Sequence, residues 1–195
     1  FVTLGAATPG AAAVTQSLGN LGMWNGSSLI VQQNGSFAAG APATLSVGTV
    51  ALDGPWTYYF NVGSGAKLEV RGAVNHTLNN DLIVYGAGDT TIAGNLNLGS
   101  GSLQKFDPGT LRLLSANTFS GTVDVYGGTL VTASNGLQNV PQIYVHAFGT
   151  LNGVTCGSLG FANGTLQCGA YCRFNTAGCN TPTPTLSPTP TPTPT

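Results

Sequence analysis

The sequence predicts an all-β solenoid, and three observations carry that prediction. A strand-turn-strand phrase is written twice: residues 122–130 read Thr-Val-Asp-Val-Tyr-Gly-Gly-Thr-Leu, and residues 142–151 read Gln-Ile-Tyr-Val-His-Ala-Phe-Gly-Thr-Leu, with one residue inserted at the turn. The phrase echoes upstream at a period near twenty residues, which in a β-rich chain marks stacked repeats. No helical period exceeds two turns, and the Ala-rich stretch 5–14 is broken by Pro9 and Gly10.

Taken in order, residues 1–19 read as an N-terminal extension, a candidate inter-subunit segment, and residues 20–155 as the solenoid. The repeat is clearest from residue 59 onward, and residues 1–58 fit it poorly. Segments 59–68 and 81–88 match the phrase. Its key valines, Val62, Val84, Val125 and Val145, are spaced by 22, 41 and 20 residues. The long interval holds two rungs, with the intervening one passing through Gly101-Ser102-Leu103-Gln104-Lys105. Gly-x-Leu steps at Gly109, Gly149 and Gly164, and the related Gly26-Ser27-Ser28-Leu29, place glycine where a tight corner calls for φ > 0. Alternation in Leu68-Glu69-Val70-Arg71 and Leu111-Arg112-Leu113 puts apolar side chains on one face.

At 195 residues and 42% hydrophobic, the chain can build one domain with a core. Charged residues make up 6%, against about 25% in an ordinary soluble domain. Six acids nearly cancel five bases, which removes the electrostatic case for nucleic acid or acidic lipid as a partner. Surfaces so poor in charge tend to associate, so the expected partners are copies of the chain itself, covalent glycans, or both. No apolar run reaches the roughly 20 residues of a membrane span. A first residue of Phe1 is consistent with a cleaved signal peptide, and hence with an extracellular or cell-surface location.

Residues 156–180 form a Cys-rich segment. Cys156, Cys168, Cys172 and Cys179 are an even, clustered set that reads as two disulfides of open connectivity, stapling a C-terminal cap. Zinc is the runner-up, but paired C-x2-C knuckles are lacking and neither His76 nor His146 is close in sequence. Residues 181–195 alternate Thr and Pro and favour an extended polyproline-II tail of about 45 Å. One reading is a rigid stalk. The other is O-glycosylation at Thr183, Thr185, Ser187, Thr189, Thr191 and Thr193, similar to the hydroxyproline-rich glycoproteins of algal and plant surfaces. N-glycosylation sequons begin at Asn25, Asn34, Asn75 and Asn163.

Residues 102–132 closely resemble the autotransporter-associated β-strand repeat of bacterial surface passenger domains. The matching elements are Leu103 and Lys105, Gly109-Thr110-Leu111, Leu113, Ser115-Ala116-Asn117-Thr118-Phe119-Ser120-Gly121, Val123, Val125 and Gly128-Thr129-Leu130. The resemblance implies a right-handed parallel β-helix displayed at a surface, with the repeat as scaffold and no catalytic residue carried over. The four cysteines and the Thr-Pro tail are foreign to those passengers.

An enzyme on such a scaffold needs carboxylates gathered on adjacent rungs. Asp53, Glu69, Asp81, Asp89, Asp107 and Asp124 are scattered, and only Asp107 and Asp124 are spaced to stack across one rung. No cofactor or metal is expected. Tyr85, Tyr126 and His146 each follow a key valine and read as an aromatic ladder at one corner. His76, inside a sequon, reads as an exposed turn residue. The expected function is a non-catalytic, secreted structural glycoprotein, the subunit of an extracellular fibre or surface layer. The alternative is a carbohydrate-binding adhesin using Trp24, Trp56 and Tyr58, and a polysaccharide lyase or hydrolase comes third.

Overall fold

The computed structural model describes residues 2–5, 10–35, 37–76, 78–133 and 136–153, together with the backbone of short strands at 163–164, 167–168, 174–175 and 179–180. The chain winds as a β-solenoid with three faces to each rung. The first face stacks β1 (Val2–Leu4), β4 (Ser28–Gln33), β7 (Tyr58–Val62), β10 (Leu82–Tyr85), β12 (Leu103–Lys105) and the leading halves of β14 (Val123–Thr132) and β15 (Ile143–Asn152). The second stacks β2 (Val14–Ser17), β5 (Ala43–Val47), β8 (Ala66–Val70), β11 (Asp89–Ile92), β13 (Thr110–Leu113) and the trailing halves of β14 and β15. Because β14 and β15 run unbroken around the corner, these two faces join as one sheet. The third face holds β3 (Leu21–Trp24), β6 (Val50–Asp53) and β9 (Val74–His76), continued by a bridge from Val74 to Leu96. Every one of these pairings is parallel. The described residues contain no helix, and so none long and apolar enough to cross a membrane.

Alternation decides what is buried. Tyr58, Phe60 and Val62 point inward from β7, as do Ala66, Leu68 and Val70 from β8. Stacking then turns the period of two into columns: Leu45, Leu68, Thr90, Leu111, Leu130 and Leu151 lie in register. Each large apolar side chain removed from water in such a column contributes about 1.5–3 kcal/mol.

The repeat falls largely where its spacing puts it. Val84, Lys105, Val125 and Val145 stand in register, and the rung through 101–105 fills the long interval. Val62 departs from the series: its place opposite Val84 is taken by Phe60, two residues earlier. A slip of two preserves the facing of every side chain, so Val62 remains inward. The cause is rung length. Val2 pairs with Val31 and Leu29 with Phe60, far wider steps than Val125 to Val145, because the early corners carry extra residues. Residues set apart as an extension supply β1 and β2, which pair with β4 and β5.

The corner glycines meet two different needs. Gly26 and Gly128 have φ of 66° and 68°, as a tight turn requires. Gly109 and Gly149 have no such φ. A Cβ there would lie 2.0 Å from the Gly88 carbonyl oxygen or 2.2 Å from that of Val125, so close stacking of the rungs is what demands glycine. Cys156, Cys172 and the tail 181–195 lie outside the described residues. For Asn163, Cys168 and Cys179 only the backbone is described, in antiparallel pairs Asn163–Asn180, Cys168–Phe174 and Gly164–Cys179.

Candidate functional sites on the solenoid surface

Three of the six carboxylates brace corners. Asp81 accepts the Ser102 amide at 2.7 Å, Asp89 that of Thr110 at 3.0 Å, and Asp107 that of Gly86 at 3.1 Å, each from an adjacent rung. Asp107 and Asp124 do not stack. Asp107 occupies a turn with φ 60°, while Asp124 lies on the first face in register with Gln104 and Tyr144. There Asp124 accepts from the Thr122 hydroxyl at 3.2 Å and sits 3.3 Å from His146 Nε2. No group of three or more His, Cys, Asp or Glu residues suited to a metal ion occurs among the described residues.

The ladder forms in part, with Tyr126 and His146 stacked, Phe106 as an additional member and Tyr85 paired elsewhere. Phe106 and Tyr126 stack at 4.4 Å and 8°, and Tyr126 and His146 at 4.0 Å and 14°, while Tyr85 meets Tyr59 edge-on at 6.4 Å. The signal for Phe106 was present: it follows Lys105 as Tyr85 follows Val84. Tyr126 has both faces covered by its neighbours, so its ring is packed within the stack. It serves as packing.

Lys105 is a buried charge that the repeat alone does not announce. It holds a position filled by valine on the flanking rungs and is 1% exposed. Its Nζ donates to the carbonyls of Phe106, Asp107 (2.8 Å) and Gly127 (3.5 Å). Burial lowers its pKa from 10.5 to about 8, partly opposed by the nearby carboxylates of Asp107 and Asp89.

The sequence-predicted aromatics divide sharply. Tyr58 is fully buried, donates its hydroxyl to the Asp53 carbonyl, and has its pKa raised mainly by burial, so it can touch no ligand. Trp24 and Trp56 are 61% and 52% exposed. Trp24 ends β3 in register with Asp53, and Trp56 follows three residues after Asp53, so both occupy the corner between the third and first faces. Each indole lies over glycine. A Cβ on Gly22 would fall 2.8 Å from Cη2 of Trp24, and one on Gly54 would fall 2.9 Å from Cδ1 and Nε1 of Trp56.

His76 is corrected from an exposed turn residue. It lies in β9, half-buried, in the column of Met23 and Leu52, because Val74 sets the inward parity of that strand. Asn25, Asn34 and Asn75 are exposed: Asn25 at φ 54° in the turn after β3, Asn34 just after β4, and Asn75 on the outer side of β9. A shallow hollow of about 460 Å³ opens at the corner between the first and second faces, lined by Lys67, Asp89, Gln33, Asn34, Phe37 and small residues.

No family model, curated protein or solved structure matches this chain. The geometry of the solenoid and its two exposed indoles is what bears on function.

Proposed function

We propose that the chain is a non-catalytic structural subunit of an extracellular fibre or surface layer, built by stacking one solenoid on another. The observation that carries this is the first rung. Among the described residues, β1, β2 and β3 each pair on one side only, and β2 is exposed along its whole length. Three parallel edges at one end of a solenoid form a template for a further rung, supplied by a second copy. With charged residues at 6%, copies repel one another little. Carboxylates engaged in bracing corners support a scaffold over an active centre.

In this reading the winding is right-handed, as strand twist favours. The four cysteines staple the last rung, against which the next copy's first rung seats, the tail and sequons carry sugar, and the resemblance of 102–132 to the passenger repeat reflects a shared stacking unit. The test uses the free edge itself. Amides of Val14 and Leu18 donate inward to Pro42 and Ser46, so by alternation those of Thr15 and Ser17 face outward. Thr15→Pro removes an outward donor and leaves the inward ladder untouched. Negative-stain images of the wild type should show fibres or sheets, and Thr15→Pro should give monomers with unchanged circular dichroism. Monomeric wild-type protein at assembly concentrations would refute the proposal.

A further inference from the structure

The two tryptophans do something that stacking does not require. Trp24 folds back along β3 over Gly22, a same-face neighbour two residues away. Trp56 sits against Gly54 and Gly26, with a Cβ on Gly26 falling 3.4 Å from its own. Glycine beneath each ring lets the indole lie against the backbone and leaves more than half of it in water. The ground beside the rings is low, with polar groups at its margin. Gly22, Ala51 and Asn75 form the adjoining outward column, and Asp53 flanks Trp24 in register. Asn25 and Gly26 make the turn between, closed by the Ser27 amide donating to the Trp24 carbonyl at 3.1 Å.

A protein partner would seat apolar side chains among other large apolar side chains, and beside the indoles this corner exposes only the small Ala51 and Pro55, with Leu78 on the next rung. A nucleic acid or an acidic polymer would need cations, and the named neighbours include a carboxylate and no base. The ligand that matches planar π-faces separated by carboxamide and carboxylate groups is a sugar, which presents C–H faces to the rings and hydroxyls to the polar rim. We infer that Trp24 and Trp56 form a two-ring platform that binds a neutral oligosaccharide lying across adjacent rungs. Trp24 ends β3, whose free edge the proposed assembly would pair, but its side chain points outward from the solenoid, so sugar binding can fail while the fibre stands.

The chain contains only these two tryptophans, so its indole emission reports on this corner alone. The experiment titrates cellohexaose and mannohexaose into full-length protein carrying Ser27→Ala and Thr77→Ala, which removes the two flanking sequons. A saturable blue shift is expected with at least one neutral hexamer, and weaker binding of oligogalacturonate. By calorimetry, Trp24→Ala and Trp56→Ala should each weaken binding at least about tenfold, as loss of a central aromatic anchor does. Phe148→Ala, exposed at the corner between the first and second faces, should leave binding unchanged. Unaltered emission with every hexamer at millimolar concentration would overturn the inference, as would binding that survives both tryptophan substitutions. A preference for oligogalacturonate would overturn its neutral class. A fourth contrary result is emission that shifts only when the glycosylated protein is enzymatically deglycosylated, with no binding of added sugar. The platform would then be covered by the chain's own glycan.

Discussion

At the scale of single residues, Lys105 is where the chain departs most from what its position asks. Its register neighbours are valines, and a charged ammonium there is held by three carbonyls in place of water. Desolvation makes the protonated form costly, which is why the pKa falls to about 8. The sign of the consequence follows. Between pH 8 and 10.5 the unfolded chain keeps the proton and the folded chain releases it, so stability rises with pH across that window. The penalty is fully present below about pH 8. Melting temperatures of wild type and Lys105→Met measured from pH 7 to 10 should therefore show the wild type gaining on the variant as pH rises. Parallel curves would mean the lysine is not desolvated as described. Gly128 carries the opposite constraint, backbone rather than charge: its φ is 68° and a Cβ would lie 2.3 Å from the Asp107 carbonyl oxygen. Gly128→Ala should cost about 2–4 kcal/mol in denaturant unfolding, beyond the usual surface substitution.

Elements in this molecule are corners and columns more than isolated strands, and Asn117 shows how a corner is made. It is buried, its Nδ2 donates to the carbonyls of Gly136 (2.7 Å) and Ser115 (3.1 Å), and its Oδ1 accepts the Leu96 amide at 2.9 Å. One carboxamide thus satisfies backbone groups on the rungs before and after its own. Asn117→Ala strands those groups in the core and should cost about 3 kcal/mol, with Asn117→Asp recovering little because it supplies no donors. Equal stability of the alanine variant would show that water replaces the clamp. Strand existence and facing were legible from alternation, as in β7, β8 and β14, and the aromatic ladder from one residue's place after each key valine. The clamps were not. A buried Asn and a surface Asn have the same letter, and only the stacking of three rungs brings their backbone groups to it. Tyr58, which only the adhesin alternative placed on the surface, lies in the core. Its parity with Phe60 buries it, whereas Trp56 precedes the strand and escapes that parity.

For the whole molecule, the period of twenty was readable only where rungs are short. From Val84 onward the corners carry few residues, and the pairing steps to Lys105, Val125 and Val145 are nearly equal. Earlier rungs hide the same architecture behind longer corners, so β1 and β2 carry no sequence period to betray them, although the sheet accepts them in register. Ends matter more than length in such a fold, because each rung is stabilised by its neighbours and the first has one alone. That sets the character of the proposed assembly. Edge pairing and apolar burial would drive it, with eleven charged side chains in 195 residues contributing little. Light scattering of the wild type should therefore change little as sodium chloride is raised to about 1 M, where the Debye length is about 3 Å. Sodium sulfate at the same ionic strength should promote assembly by strengthening apolar burial. Fibres that dissolve in sodium chloride would show that the few charges hold the interface, and would move the contact from the strand edges to the faces bearing Lys67, Glu69, Arg71 and Arg112.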